Sequence, residues 1–175
     1  NLTSYLGARK ALGMKYDMAM GAATVTVAAE NAADYADGTT YSSSTAKRPD
    51  LIVKVAMPAG PVTATIVGVS HEANSTAASA TTSSTGQGYA VLGKLGGTVG
   101  SASFGVYGGA STGALSYTGY TKANVDSDIT GTELSQGNLI GADVSFDTGS
   151  GSLFATAETG QAKLSTSTDT FSQYA

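Results

Sequence analysis

The sequence of 175 residues lacks cysteine and tryptophan and contains few charged residues. The absence of cysteine excludes disulfide bonds and thiolate metal sites. Only nine residues are Lys or Arg, they are scattered, and the formal net charge is −4, so there is no basic stripe that would bind phosphates. No apolar run approaches the roughly 18 residues of a transmembrane helix. The sequence therefore predicts neither a nucleic-acid partner nor a membrane-spanning helix.

What the sequence does contain is small and hydroxyl-bearing residues. Hydrophobic residues make up 41% of the chain, but many of them are Ala and Val, and 23 glycines and long Ser/Thr stretches separate them. No segment is as continuously apolar as a buried parallel strand. This composition argues against a conventional globular core.

Apolar and polar residues alternate with a period of two along much of the chain, which is the pattern of a half-exposed β-strand. In residues 139–147, for example, Ile140 and Val144 alternate with Gly141 and Asp143. The tail, 161–175, is expected to hold a loop and the start of a further strand. The predicted strands are residues 11–18, 22–30, 50–57, 62–71, 88–95, 102–108, 139–147 and 152–160.

The connections between these strands alternate between short and long. Residues 19–21, 58–61 and 96–100 form tight connections, whereas 31–49 and 73–86 are long and rich in Gly, Ser, Thr and Ala. Antiparallel neighbours place alternate connections at opposite ends of a sheet, so one end has tight turns and the other has long loops, as in outer-membrane barrels. The predicted fold is all-β, an antiparallel transmembrane β-barrel, with residues 1–175 as a single partial barrel domain.

The two faces of the predicted strands differ in chemistry. One face carries small apolar side chains, which lipid accepts, and the other carries charges that need water, which a wide lumen supplies. A soluble sheet with one solvated face explains the alternation equally well, and any one of the charges is more often an ordinary wall residue than a constriction residue. The candidate pore-lining residues are Lys15, Asp17, Glu30, Lys54, Lys94, Asp143 and Glu158.

Three stretches resemble the alphaproteobacterial general porin family. The sharpest is Arg48-Pro49-Asp50-Leu51-Ile52-Val53-Lys54-Val55, followed by a turn and the strand from Val62 to His71. The second is Gly88 to Leu95, and the third, Gly113-Ala114-Leu115-Ser116-Tyr117-Thr118-Gly119-Tyr120, is similar to that family's loop. These are strand patterns and not a catalytic signature, and they span about half of the chain.

This resemblance implies an outer-membrane porin, a barrel of about sixteen strands of which this chain supplies about eight. It also implies a homotrimer in outer-membrane lipid, long external loops and one loop that folds inward to narrow the pore. Such a channel passes small hydrophilic solutes and ions by passive diffusion. The chain begins without a signal peptide and ends at Tyr174-Ala175 instead of a terminal aromatic residue, so we expect an interior fragment.

The sequence offers little for catalysis or cofactors. His71 is the single histidine and is expected to be a residue at the barrel rim. No serine lies in a nucleophile elbow and no glycine-rich stretch opens a phosphate-binding helix, so the chain is predicted not to be an enzyme. Asp126, Asp128, Thr130 and Gly131 follow the first half of a calcium loop, but Gly137 replaces the closing Glu. Calcium at Asp126 and Asp128 is therefore a weak candidate, and no other cofactor is expected.

Two other functions are compatible with the composition. A structural or adhesive β-rich cell-surface protein also suits strands rich in Thr, Ser, Gly and Ala, although no fixed-period repeat is present. A soluble antiparallel binding module is the third possibility, and it predicts a monomer that stays folded without detergent.

Overall fold

The computed structural model describes residues 13–30, 48–75, 84–118, 128–130, 132–163 and 168–174. None of the described residues lies in a helix long and apolar enough to cross a membrane. The elements are β1 (Gly13–Met20), β2 (Ala23–Glu30), β3 (Asp50–Ala59), β4 (Val62–Ser75), β5 (Ser84–Val99), β6 (Ala102–Thr112), a 3₁₀ helix (Leu115–Thr118), β7 (Ile129–Thr130), β8 (Glu133–Leu134), β9 (Gln136–Asp147), β10 (Ser152–Lys163) and β11 (Thr168–Tyr174).

Nine of these strands form one antiparallel sheet. Their order is β1-β2-β3-β4-β5-β6-β9-β10-β11. Each strand therefore pairs with the strand of this sheet that comes before it in the sequence. The two short strands β7 and β8 pair only with each other and lie within the connection from β6 to β9. The sheet is therefore a continuous meander with one elaborated connection.

Each of the eight predicted strands overlaps one strand of the sheet, but the boundaries differ. The largest difference is at β5, which runs from Ser84 to Val99 where the sequence predicted 88–95 and a connection at 96–100. Gly96 and Gly97 pair with Thr63 and Val62 on β4. At Gly97 a side chain would meet the carbonyl oxygen of Pro61, so a glycine marks a close approach here and not a turn.

Further differences lie at the two ends of the sheet. The predicted first strand began at Ala11, which lies outside the described residues, as do most of the predicted loops 31–49 and 73–86. A ninth strand, β11, follows β10 in the tail and pairs with it from Lys163 to Ala157. The connection 164–167 between them is as short as the turn 148–151, so the alternation of short and long connections fails at this last link.

Three hairpins share one turn chemistry. Gly21, Gly60 and Gly100 each begin a two-residue turn with φ values of 63°, 64° and 61°, and no residue other than glycine has a positive φ among the described residues. A positive φ at the first turn position alone defines the type II′ turn, whose twist matches that of the flanking strands. Glycine at these positions thus sets the tight turns along one end of the sheet.

The two faces of the sheet are chemically different. Residues opposite each other on paired strands share a face, so Val27, Val53 and Val91 fall on one side. This apolar face leaves large hydrophobic side chains in the open, an arrangement that a monomer in water avoids. Its exposed members include Met14, Tyr16, Val27, Leu51, Val53, Met57, Ile66, Val91, Leu95, Val106, Ile140, Val144, Phe146 and Leu153.

The apolar face is a band that shifts along the strands. On β3 it reaches Leu51, but the residues in register with Leu51 on later strands include Ser70 on β4 and Gln136 on β9. On the same face of β9 the first apolar residue is Ile140. Tilted strands carry such a diagonal band when they cross a layer of fixed thickness. On β4 the band ends before Ser70, so His71 lies beyond it on the long-loop side.

Candidate functional site

All seven predicted pore-lining residues lie on the face opposite the apolar band, which we call the charged face. Register places Asp17 beside Thr26 and Lys54, and Lys94 beside Tyr107. The register also places the other four candidates on this face: Lys15 on β1, Glu30 on β2, Asp143 on β9 and Glu158 on β10. The structure separates them into two groups at opposite sides of the sheet.

The first group lies on β1 to β3. Thr26 Oγ1 donates a 2.5 Å hydrogen bond to Asp17 Oδ1, and Lys15 Nζ lies 3.3 Å from Asp17 Oδ2. The Lys15 and Asp17 side chains are 70% and 46% exposed, so this ion pair adds little to stability and leaves both charges facing solvent. Lys54 follows on the next strand, in register with Thr26. Water-exposed charges of this kind contribute little to the stability of the fold.

The second group lies on β5 to β10. Lys94 Nζ lies 3.0 Å from Asp143 Oδ2 and 5.8 Å from the centre of the Tyr107 ring. The lysine crosses β6 above Gly105, where a Cβ would lie 2.8 Å from Nζ and 2.5 Å from Asp143 Oδ2. Glycine on the charged face therefore makes room for a cross-strand ion pair.

Tyr107 continues this chain of contacts toward β10. Its ring lies across Gly141, where a Cβ would come within 2.5 Å of the ring, and its hydroxyl reaches Thr156 and Glu158. Glu158 is buried, with 7% of its surface exposed. Lys94, Asp143, Tyr107 and Glu158 thus form one polar row across four strands.

The connection from β6 to β9 folds onto the charged face. Its described residues, 113–118, 128–130 and 132–135, are here called the β6–β9 segment. Ala114 and Tyr117 of this segment pack on an apolar patch of the charged face and are almost completely buried. The patch consists of Val67, Val69, Ala90, Leu92 and Leu139, with Ile52 at its edge. Among the described residues, this patch is the one cluster of aliphatic side chains on the charged face, and the segment buries it.

Small residues on the strands let the segment approach closely. A Cβ at Gly137 would meet Thr118 Oγ1, and a Cβ at Gly88 would meet the carbonyl oxygen of Gly113. Thr118 Oγ1 and Ser111 Oγ are 2.8 Å apart, so a hydrogen bond also ties the 3₁₀ helix to β6. The hairpin β7–β8 lies over Gly86, since a Cβ there would lie 3.0 Å from Ile129.

A buried polar cluster joins the segment to the sheet. His71 on β4 has Nδ1 at 2.8 Å from Asp50 Oδ1 and Nε2 at 3.2 Å from Asp128 Oδ2. Tyr117 Oη donates a 2.5 Å hydrogen bond to Asp50 Oδ2, and the backbone nitrogen of Leu115 donates to Asp128 Oδ1 over 2.7 Å. His71, predicted as a residue at the barrel rim, lies beyond the apolar band on the long-loop side, but it is buried there, with 7% of its surface exposed.

The protonation of His71 follows from these contacts. Burial alone would lower the pKa of the imidazole, but hydrogen bonds to Asp128 and Asp50 and the charges of both carboxylates outweigh it and raise the pKa to about 9. The ring is therefore an imidazolium at neutral pH, donating from both nitrogens. Because both nitrogens are occupied and buried, this histidine has no free position for acid–base chemistry on a bound molecule.

The predicted calcium site at Asp126 and Asp128 lies only partly within the described residues. Both carboxylate oxygens of Asp128 contact protein groups, and Asp126 and Gly131 lie outside the described residues. The parts of the chain that the structure describes contain no group of three His, Asp or Glu residues that could hold a metal ion. The role that the geometry gives Asp128 is contact with His71 and Leu115.

Sequence reasoning assigned no role to Asp50 or Tyr117. Both lie within stretches that carry the family resemblance, Arg48 to Val55 and Gly113 to Tyr120, but their partnership spans 67 positions. The one available signal was a carboxylate at the start of a strand, beside a proline. That signal identifies a strand end and not a partner.

The chain is similar to known proteins in fold alone. No protein-family model and no curated protein sequence matches it. Two solved structures do: the outer-membrane expressed OmpT of Vibrio cholerae, with 14% identity and a TM-score of 0.56, and the in-vitro folded OmpT, an outer membrane protein of Vibrio cholerae, with 13% identity and a TM-score of 0.55. Each match covers 93% of this chain and 47% or 46% of the other, so the chain spans about half the length of those proteins. The fold of this chain is that of an antiparallel outer-membrane β-barrel.

Proposed function

We propose that this chain forms part of the wall and the constriction of a water-filled porin channel in a bacterial outer membrane. The channel would pass small hydrophilic solutes and ions by passive diffusion. The apolar band would face lipid and the charged face would line the lumen. The chain alone would supply about half of the barrel, in keeping with its coverage of the matched structures.

The observation that carries this proposal is the β6–β9 segment on the charged face. A loop whose only role is to bind an external partner does not need to lie against the inner wall of a barrel. Here Leu115, Tyr117 and Ile129 are at least 96% buried, and Asp128 reaches the wall at His71. A segment held there occupies part of the cross-section of the lumen, which narrows the path for solutes.

Exposure of the apolar face supports a lipid environment. Ile66, Val91 and Ile140 expose 61%, 59% and 66% of their surfaces although they lie in the middle of their strands. Exposing that apolar surface to water would cost a free energy of roughly 25 cal/mol per Å². Hydrocarbon removes the penalty, and the closed hydrogen bonding of a barrel satisfies the backbone there.

The wall charges set an ion preference. Four of the seven candidates are carboxylates and three are lysines, and two of those lysines lie beside carboxylates. Asp50 and Asp128 add two more carboxylates, opposed by the imidazolium of His71. The balance favours cations slightly. We propose no catalytic residue and no cofactor for this channel. We propose that it is a homotrimer, as the family resemblance implies.

The test is the conductance of the full-length protein that contains this chain, purified in detergent and inserted into planar lipid bilayers. Stepwise current increases proportional to salt concentration would support the channel. Refolding is monitored separately by the difference in gel mobility between unheated and heated samples. A silent bilayer with protein shown to be inserted and folded would overturn the channel and favour a structural role on the cell surface.

A further inference from the structure

Two carboxylates from different elements meet at the buried imidazole of His71. Asp50 comes from β3, His71 from β4 and Asp128 from the β6–β9 segment, with the two carboxylates on opposite sides of the imidazole ring. Tyr117 of the 3₁₀ helix completes the cluster, since its hydroxyl donates to Asp50 and its ring lies edge-on to that of His71 at 6.0 Å. The wall and the segment therefore share one cluster.

The geometry requires a cation at the centre. An ionised carboxylate only accepts hydrogen bonds, so each ring nitrogen has to donate, and that requires the doubly protonated ring. Without the imidazolium charge, the carboxylates of Asp50 and Asp128 would face each other across a neutral ring. Asp50 has no exposed surface, so it could not recover this loss by hydration.

The other charged groups around the cluster are carboxylates or are already engaged. Glu30 on β2 lies opposite Asp50 in the register, and Glu72 follows His71 on β4 with Arg48 at 3.6 Å. On β5 the neutral side chain of Gln87 donates to the carbonyl oxygen of His71 over 2.8 Å. Glu133 on β8 is exposed. Among the described residues, the cation within hydrogen-bond distance of both Asp50 and Asp128 is His71.

We propose that protonated His71 is a latch that holds the β6–β9 segment on the wall and that loss of its proton releases the segment into the lumen. This inference rests on the proposed channel and names a regulation of its constriction. His71 would carry a positive charge at neutral pH, and the segment would be released only in alkaline solution.

The direction of the pH effect follows from the raised pKa of His71. A basic group whose pKa is higher in the folded protein stabilises it fully below the unfolded value of 6.5, and this contribution is lost as the pH rises through about 9. The segment should thus be held at neutral pH. At higher pH the open channel should become noisy, with brief partial closures as the segment leaves the wall.

The electrical test compares wild type with His71→Gln and Asp128→Asn in bilayers from pH 6 to pH 10. Wild type should be quiet up to about pH 8.5 and noisy above pH 9, whereas His71→Gln should be noisy at pH 7 with no further change. Asp128→Asn, which keeps an acceptor for Leu115, should move the midpoint lower by about 1–3 pH units. Lys163→Gln, on an exposed strand end away from the cluster, controls for surface charge and should match wild type.

A second measurement does not depend on conduction. Hydrogen exchange of the amides of 113–118 at pH 7 should be faster in His71→Gln than in wild type by about tenfold or more. The ¹³C resonance of His71, identified by its loss in His71→Gln, should titrate with a midpoint near 9. Unchanged exchange, a midpoint near 6.5, or a His71→Gln channel as quiet as wild type would overturn the latch. A silent bilayer with protected amides would overturn the channel and leave the latch standing.

Discussion

The hydroxyl of Tyr117 donates a 2.5 Å hydrogen bond to Oδ2 of Asp50, a carboxylate 67 positions earlier in the chain with no exposed surface. Asp50 starts β3, and Tyr117 lies in the 3₁₀ helix of the β6–β9 segment. The other oxygen of Asp50 faces His71 at 2.8 Å. A buried carboxylate is stable only when its oxygens are satisfied, so the wall and the segment each depend on the other.

Replacing Tyr117 by Phe should therefore weaken the anchoring of the segment. The ring keeps its place in the apolar cluster that includes Val69 and Leu92, but Asp50, a charged acceptor, loses one hydrogen-bond donor. We expect the free energy of unfolding to fall by about 1.5–3 kcal/mol. Urea unfolding in lipid vesicles measures the change, and Tyr89→Phe, at an exposed position, is the matched control. Equal stability of the Tyr117→Phe protein and wild type would show that the hydrogen bond contributes nothing.

Gly137 should be intolerant of even one added methyl group. A Cβ there would meet Thr118 Oγ1 and lie 2.8 Å from Ser111 Oγ, so Gly137→Ala should push the 3₁₀ helix off the wall. Overpacking of this kind costs about 1–3 kcal/mol. Gly68→Ala is the control, because nothing lies within 4 Å of the Cβ built at Gly68. Unfolding should show a loss for Gly137→Ala and a change below about 1 kcal/mol for Gly68→Ala.

The strands and their faces could be predicted because they depend on local alternation. Each of the seven predicted wall charges lies on the charged face, since a period of two places alternate residues of a strand on one side whatever the strand pairs with. Boundaries such as Gly96 and Gly97 were wrong for a physical reason. Glycine in a sequence indicates a turn, whereas here Gly97 allows the carbonyl group of Pro61, in the turn between β3 and β4, to approach β5 closely.

The polar cluster could not be predicted because it depends on register between distant elements. Nothing near His71 in sequence indicates that Asp50 and Asp128 lie on either side of its ring. A lone histidine in a chain without cysteine suggests an unremarkable surface residue. Only the fold of the β6–β9 segment back onto β3 to β6 brings the four side chains together.

Lys94 and Asp143 should act in opposite directions on ion selectivity. Their ion pair, at 3.0 Å and only partly buried, keeps both charges near mobile ions on the charged face. Lys94→Gln leaves an unopposed carboxylate and should raise the preference for cations, whereas Asp143→Asn should lower it. Reversal potentials of full-length channels in a tenfold KCl gradient measure both. Shifts of the same sign in the two variants would place the pair away from the ion path.

A charge introduced on the apolar face should damage the protein far more than one on the charged face. Ile66 lies on β4 within the apolar band and exposes 61% of its surface, so in a membrane Ile66→Lys would place an ammonium group in hydrocarbon. Such substitutions cost about 2–4 kcal/mol near the midplane of a barrel.

The matched variant is Thr24→Lys, at an exposed position of the charged face on β2. In water-filled surroundings the new ammonium stays hydrated, and we expect a change within about 0.5 kcal/mol. Urea unfolding from vesicles compares the two variants directly, and unfolding from detergent micelles, which adapt to a charged side chain, should reduce the difference. If both lysines cost the same in vesicles, the apolar face does not face lipid, and the sheet would have to bury it against protein instead.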